Sequence, residues 1–97
     1  MATILEKYIE QKVCEYAKER GMAAYKFTSP ARMAVPDRLF IVPGGTVFFV
    51  EMKRPGAVPT PAQVREHIRL TSLGVKVYVI DNITDGKALV DSYAANL

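Results

Sequence analysis

The sequence feature that most constrains the fold is the apolar run Val47-Phe48-Phe49-Val50, which leads directly into Glu51-Met52-Lys53. Successive side chains of a strand point to opposite faces of a sheet, so a run that is apolar at every position predicts a strand covered on both sides. Charged residues are costly at such a place unless they are paired or bind an ion. The run therefore predicts the central strand of a layered α/β domain, with a partner for the charges at its end.

A tight reversal precedes this strand. Pro43-Gly44-Gly45 separates it from a second apolar run over 37–42, and glycine tolerates the positive φ angles that a short turn requires. The two runs are predicted to form an antiparallel β-hairpin. Because Asp37 and Glu51 lie at similar distances from the turn, we expect them to meet at one end of the hairpin, on adjacent strands.

The remaining elements follow from periodicity and from residues that begin or end helices. Thr60-Pro61-Ala62-Gln63 matches a capping box at a helix start, and Gly21 and Gly74 fit helix ends. The predicted elements are helices over 3–20, 61–73 and 85–93, strands over 22–29, 37–42, 46–53 and 75–80, and a loop over 29–36. A strand, a helix and a strand in succession require a right-handed crossover between parallel strands. The order α-β-β-β-α-β-α thus predicts one α/β domain over 1–97, with a mixed central sheet flanked by helices.

Charge is unevenly distributed along the chain. The 13 basic and 10 acidic residues give a net charge of +3, and the whole excess lies in 26–54, which holds five basic and two acidic residues. The basic residues of that segment are Lys26, Arg32, Arg38, Lys53 and Arg54. A local excess of this kind suits a polyanion, so nucleic acid is the predicted partner.

Composition excludes several other classes of protein. No stretch approaches the roughly 20 apolar residues of a membrane span, and the charged start of the chain is unlike a signal peptide, so we expect a cytoplasmic protein without membrane contact. The single cysteine, Cys14, has no companion for a disulfide or a zinc site. No small-molecule cofactor is indicated.

A domain of 97 residues buries a modest share of its surface, so pairing between copies is expected.

The expected proximity of Asp37 and Glu51 is the feature that points to a chemical function. Facing carboxylates repel each other unless their pKa values rise or a cation lies nearby. Lys53 shares a strand face with Glu51, while Met52 points the other way and leaves its carbonyl oxygen at the strand end. Carboxylates, a carbonyl oxygen and water are the ligands that Mg²⁺ or Mn²⁺ prefers. The alternative is a plain Glu51–Lys53 pair at a solvated strand end.

Pro36-Asp37 followed by Glu51-Met52-Lys53 resembles the motif of the PD-(D/E)xK nucleases. The resemblance is to the virus-type replication-repair nuclease (VRR-Nuc) family in its short phage form, and it runs from about residue 4 to 81. The matching segments are Lys26-Phe27, Ser29-Pro30, Val35-Pro36-Asp37-Arg38-Leu39, Pro43-Gly44-Gly45, Val50-Glu51-Met52-Lys53-Arg54-Pro55-Gly56, Gln63 and Leu73-Gly74. This resemblance implies a restriction-endonuclease-like fold with an αβββαβ core.

The resemblance also implies roles for particular residues. The implied metal ligands are Asp37, Glu51, the backbone carbonyl of Met52 and a glutamate of the first helix, which is Glu10 or, as the alternative, Glu6. Lys53 is implied as the cation that faces the phosphate. Gln63 either faces the site or only completes the capping box with Thr60. Lys26, Arg32, Arg38 and Arg54 are the candidate nucleic-acid contacts. His67 lies in mid-helix away from the motif, so we expect a surface or packing role for it.

The activity implied is Mg²⁺- or Mn²⁺-dependent hydrolysis of DNA phosphodiester bonds. The family further implies a homodimer that cuts branched DNA such as a four-way (Holliday) junction. Alternatives are a nuclease that acts on flaps, nicks or ends, a nucleic-acid-binding module of the same fold without turnover, and a protein-interaction domain.

Overall fold

The computed structural model describes residues 3–95, so the predicted domain bounds of 1–97 include two residues at each end that lie outside the described range. The elements in chain order are α1 (Ile4–Glu19), β1 (Ala23–Lys26), β2 (Arg38–Ile41), β3 (Val47–Met52), α2 (Pro61–Ser72), β4 (Lys76–Ile80) and α3 (Ile83–Ala94). The predicted order of helices and strands is confirmed. The last helix begins earlier than predicted because the Asn82 side chain accepts a hydrogen bond from the Asp85 N–H and caps it.

The four strands form one mixed sheet in the order β1-β2-β3-β4. The first three strands are antiparallel neighbours, and β4 runs parallel to β3, as the crossover through α2 requires. In the hairpin Arg38 pairs with Val50, so the same register places Asp37 opposite Glu51. The restriction-endonuclease-like α/β architecture and the mixed sheet that the sequence predicts are therefore present.

The two faces of the sheet are covered differently. On one face α1 and α3 pack over Phe40, Phe48, Val50 and Met52 in the main hydrophobic core. Phe48 stacks there between Phe40 and Tyr93, with ring centroids 5.0 and 4.1 Å away. The other face carries Glu51, and its covering helix is α2, which packs beside β4. The buried end of β3 thus lies under a helix that supplies polar side chains.

No helix formed by residues 3–95 has the length and apolar character needed to cross a membrane.

Gly86 of α3 packs against Val13 of α1 with no room for a side chain. A Cβ atom at this position would lie 2.3 Å from Val13 Cγ2 and 3.3 Å from Ile80 Cγ2. Alanine in place of glycine usually stabilises a helix by about 1 kcal/mol, but here the overlap outweighs that gain. We expect Gly86→Ala to lower the free energy of unfolding by about 1–3 kcal/mol in urea denaturation.

The control for this prediction is a double-mutant cycle with Val13→Ala. Shortening Val13 removes the atom that would lie 2.3 Å from the new methyl group and leaves only the longer contact with Ile80, so Gly86→Ala should cost much less in the Val13→Ala background. A Gly86→Ala protein more stable than the wild type would contradict the close approach of the two helices.

Candidate active site

Asp37 is fixed by hydrogen bonds to both neighbouring strands. Its Oδ2 accepts a hydrogen bond of 2.7 Å from the Met52 N–H at the end of β3. Its backbone carbonyl accepts one of 2.8 Å from the Phe27 N–H, just beyond β1. The preceding residue, Pro36, is fully buried and restricts the backbone at the entry to β2. The carboxylate is therefore held in place before any ligand arrives.

Glu51 is the most deeply buried charged residue of the described chain, with 2% of its surface exposed. Its Oε2 accepts a hydrogen bond of 3.1 Å from Gln63 Nε2 and lies 3.5 Å from Lys53 Nζ. Its Oε1 is buried and has no hydrogen-bond partner within residues 3–95. A buried oxygen without a partner is costly, so this atom is available to a cation.

Burial and charge together act on the protonation of Glu51. Burial, with a further contribution from the Asp37 carboxylate, raises the pKa of Glu51 to about 8, whereas Lys53 opposes the rise. Lys53 alone therefore does not offset the cost of two adjacent carboxylates. A further positive charge at this point would allow both carboxylates to be ionised at neutral pH.

Lys53 and Glu51 are joined through one side chain of α2. Gln63 Oε1 accepts a hydrogen bond of 2.8 Å from Lys53 Nζ, while its Nε2 donates to Glu51. The same Oε1 also accepts 2.9 Å from the Thr60 N–H and completes the capping box of α2. The two roles predicted as alternatives for Gln63, facing the site and capping the helix, thus occur together.

The Met52 carbonyl points away from β4, toward the β2 side of β3. The Lys53 N–H donates to the Ile80 carbonyl of β4 at 2.9 Å. Since the C=O and N–H of a trans peptide point in opposite directions, the Met52 carbonyl faces the β2 side of the strand. The Met52 side chain is buried in the core on the other face from Glu51. An oxygen donor is therefore present where the sequence pattern predicts one.

These donors fit a hard divalent cation. Within residues 3–95 no group of three or more His, Cys, Asp or Glu side chains is close enough to hold a metal ion by itself. Mg²⁺ does not require such a group, because it commonly takes one or two carboxylates and keeps several waters. Asp37, Glu51 and the Met52 carbonyl supply that smaller set, and the unpartnered Oε1 of Glu51 is one of its atoms.

The structure does not bring the predicted fourth acid to these donors. Glu10 of α1 accepts a hydrogen bond from Arg38 Nε, and its side chain is 12% exposed. Arg38 is paired with Val50, whose side chain lies on the α1 face, opposite to Glu51. Neither Glu10 nor Glu6 forms a metal-binding group with Asp37 and Glu51 within residues 3–95. A role for either glutamate as a ligand stays a prediction.

His67 was expected to lie away from the motif, and that expectation is wrong. It lies one turn after Gln63, on the same inward face of α2, with Nε2 3.8 Å from Glu51 Oε1. Its Nε2 is buried without a hydrogen-bond partner in the described chain, and burial lowers the pKa of the ring, with Lys53 adding to the effect. The four-residue spacing from Gln63 was the sequence signal that could have indicated this position.

The predicted nucleic-acid contacts occupy different environments. Lys26 is exposed at the end of β1, and Arg54 is exposed just after β3. Arg38 is engaged by Glu10, and Arg32 Nε donates to Glu66 Oε1 at 2.9 Å. Lys26 and Arg32 line a hollow that also contains Asp37. Their contact with nucleic acid remains a prediction.

The chain is similar to known proteins in sequence and in structure, whereas no protein-family model matches it. The sequence is 49% identical over 82 residues to "Putative nuclease p44" of Acyrthosiphon pisum secondary endosymbiont phage 1, an alignment that covers 84% of this chain and 88% of the relative. A solved structure described as "VRR_NUC domain" superposes with a TM-score of 0.86 at 29% identity and covers 94% of this chain and 99% of that one.

Proposed function

This chain belongs to the VRR_NUC family of nuclease domains, and we propose that it hydrolyses DNA phosphodiester bonds with the help of a divalent cation held by Asp37 and Glu51. The observation that carries the proposal is the pair of facing carboxylates at the hairpin end, one fixed by a backbone N–H and the other buried with an unpartnered oxygen. Such a pair is costly to a fold unless it serves to bind a cation.

The protein residues around this pair have distinct tasks in the proposed reaction. A divalent ion bound there supplies Lewis acidity, which lowers the pKa of water and neutralises phosphate charge. Lys53 lies next to Glu51, where its ammonium group can orient the attacking water or stabilise the negative charge that develops on the phosphate. Gln63 holds Lys53 and Glu51 through separate hydrogen bonds, so their relative positions are set before the substrate binds.

The preferred substrate in this proposal is branched DNA, cut by a homodimer. Two copies bring two centres to two strands, which is what resolution of a four-way junction requires. The family resemblance and the small size of the domain support this reading. A nuclease that acts on flaps, nicks or ends is the alternative for the same centre. Mg²⁺ and Mn²⁺ both suit the oxygen donors present.

Cleavage assays on a panel of substrates test the proposal. Purified protein is incubated with linear, nicked, flapped and four-way DNA in Mg²⁺, Mn²⁺ or EDTA, and the products are mapped. We expect cleavage in Mg²⁺ or Mn²⁺ and none in EDTA, with paired cuts on opposite strands of the four-way substrate. Analytical ultracentrifugation of the same sample should give the mass of two chains.

Each other result of this experiment supports a named alternative. Cuts confined to flaps, nicks or ends would keep the nuclease and reject junction resolution. DNA binding without cleavage in any metal would indicate a binding module. Absence of DNA affinity even at low salt, where phosphate contacts are strongest, would indicate a protein-interaction domain.

A further inference from the structure

A second basic surface lies beside the proposed centre. The segment 31–34 and one side of α2 enclose a hollow of about 540 Å³, and its charged lining residues are Arg32, Arg65, Glu66 and Arg69. Arg65 and Arg69 lie outside the segment whose excess charge indicated nucleic acid in the sequence. Neither of them has a role in the catalytic proposal.

A buried carboxylate fixes two of these arginines. Glu66 is 5% exposed and accepts hydrogen bonds from Arg32 Nε at 2.9 Å and from Arg69 Nε and Nη2 at 3.2 Å each. The hydrogen bonds from Arg69, and then that from Arg32, hold the pKa of Glu66 below its ordinary value. The loop and the helix are thereby joined, and both guanidinium groups have defined positions at the hollow.

The fixed arginines keep donors for a ligand. A guanidinium group has about five N–H donors, and Glu66 uses one from Arg32 and two from Arg69. The two side chains are 50% and 44% exposed, so the remaining donors can reach the solvent side. Arg65 is exposed and forms no salt bridge with any side chain of residues 3–95. Three cationic side chains against one carboxylate give the hollow an excess of positive charge, which suits an anionic ligand.

This hollow borders on the one that contains Asp37. Arg32 and Met33 line both, and the second hollow, of about 440 Å³, also includes Lys26. Met33 lies at the boundary with 97% of its surface exposed. The surface thus alternates between cationic and apolar side chains. A nucleic-acid strand, in which phosphates alternate with sugars and bases, is complementary to such a surface, whereas a small inorganic anion is not.

We infer that the hollow between α2 and segment 31–34 binds the phosphate backbone of the DNA strand that reaches Asp37, with Arg65 and Arg69 as its contacts. This inference rests on the proposed function, since it takes DNA as the ligand. The contacts are independent of base sequence, because guanidinium groups that bind phosphates fix position without reading bases.

The first test removes Arg65, whose loss breaks no salt bridge with another described residue. Binding of fluorescent four-way and linear duplex DNA is measured in EDTA over a range of salt concentrations, for wild type and for Arg65→Ala. We expect weaker binding and a slope of log K against log[salt] that is less steep by about 0.9, the value for one phosphate contact. The double variant Arg65→Ala/Arg69→Ala should lose about twice that slope and bind at least about tenfold more weakly at 150 mM salt.

Matched controls remove the same charge elsewhere. Lys76 is exposed at the start of β4, the end of the sheet away from Glu51, and Lys87 is exposed on α3, which packs on the opposite face. Lys76→Ala and Lys76→Ala/Lys87→Ala should keep the wild-type slope.

The outcomes separate this inference from the proposed function. A wild-type protein that cuts DNA, together with an Arg65→Ala variant of unchanged affinity and slope, would overturn the inference and leave the nuclease in place. An equal loss of slope in the Lys76→Ala control would also overturn it, since the effect would then come from net charge. A wild-type protein that does not cut DNA in any metal would reject the proposed function.

Discussion

Asp37→Asn and Glu51→Gln should each reduce DNA cleavage by about 10³-fold or more, which corresponds to about 4 kcal/mol of transition-state stabilisation. Each substitution keeps the size of the side chain and removes the charge that would hold the cation. Loss of a residue that only orients a metal ligand typically costs about 10–100-fold, so direct ligands should cost more. Single-turnover cleavage of a four-way substrate in Mg²⁺ measures the effect.

Glu51→Gln should lose activity without losing the fold. The buried Glu51 carboxylate is opposed by desolvation and by Asp37, and these effects raise its pKa to about 8. Replacing it with a neutral amide removes both penalties, so we expect a free energy of unfolding in EDTA that is equal to or above that of wild type. Thermal denaturation measured beside the cleavage assay distinguishes a missing ligand from a misfolded protein.

A metal titration supplies the independent readout for both acids. Isothermal titration with Mn²⁺ should show heat of binding for wild type and none for Asp37→Asn or Glu51→Gln. The control is Glu15→Gln, an exposed α1 carboxylate that pairs with Lys12 and should change neither measurement. Full turnover in either active-site variant would reject the proposed centre, whatever the control shows.

Lys53→Met should reduce kcat by about 10²–10³-fold, the range found when one group that stabilises transition-state charge is removed. Methionine keeps most of the length of the side chain and removes the ammonium group that lies 3.5 Å from Glu51 Oε2 and donates to Gln63. Because the ammonium group acts mainly on charge that develops during the reaction, KM for DNA should change little.

Whether the substitution changes kcat or KM distinguishes a catalytic role of Lys53 from a role in substrate binding alone. A raised KM with a normal kcat would show that Lys53 only binds the ground-state phosphate and would contradict the catalytic role. Arg54→Ala is the control, because Arg54 is the next residue along the chain and is exposed. Removing Arg54 should weaken DNA binding and leave kcat unchanged, whereas Lys53→Met should lower kcat and change KM little.

The hairpin and its charged end could be read from the sequence because both depend on local rules. Side chains alternate along a strand, and a short glycine turn sets the register of the two strands that it joins. Counting from Gly44 and Gly45 was therefore enough to place Asp37 opposite Glu51, and the register confirms it. The capping box of α2 was equally local, since it involves only Thr60 and Gln63.

Placement of the helices relative to the sheet could not be read in this way. Periodicity defines which side of a helix is apolar, but the contacts of a polar side chain depend on how the helix crosses the strands. His67 follows Gln63 by one turn and faces Glu51 only because α2 packs on that face of the sheet. Glu10 fits the expected acid of α1 by sequence, yet Arg38 engages it on the opposite face.

The sequence by itself determined the order of elements, the hairpin register and the meeting of Asp37, Glu51 and Lys53, because each of these follows from short-range geometry along the chain. Only the tertiary structure decided which side chains of α1 and α2 reach that centre, and that Glu66 joins Arg32 to Arg69. Those contacts connect residues far apart in sequence, and the packing of whole helices against the sheet sets them.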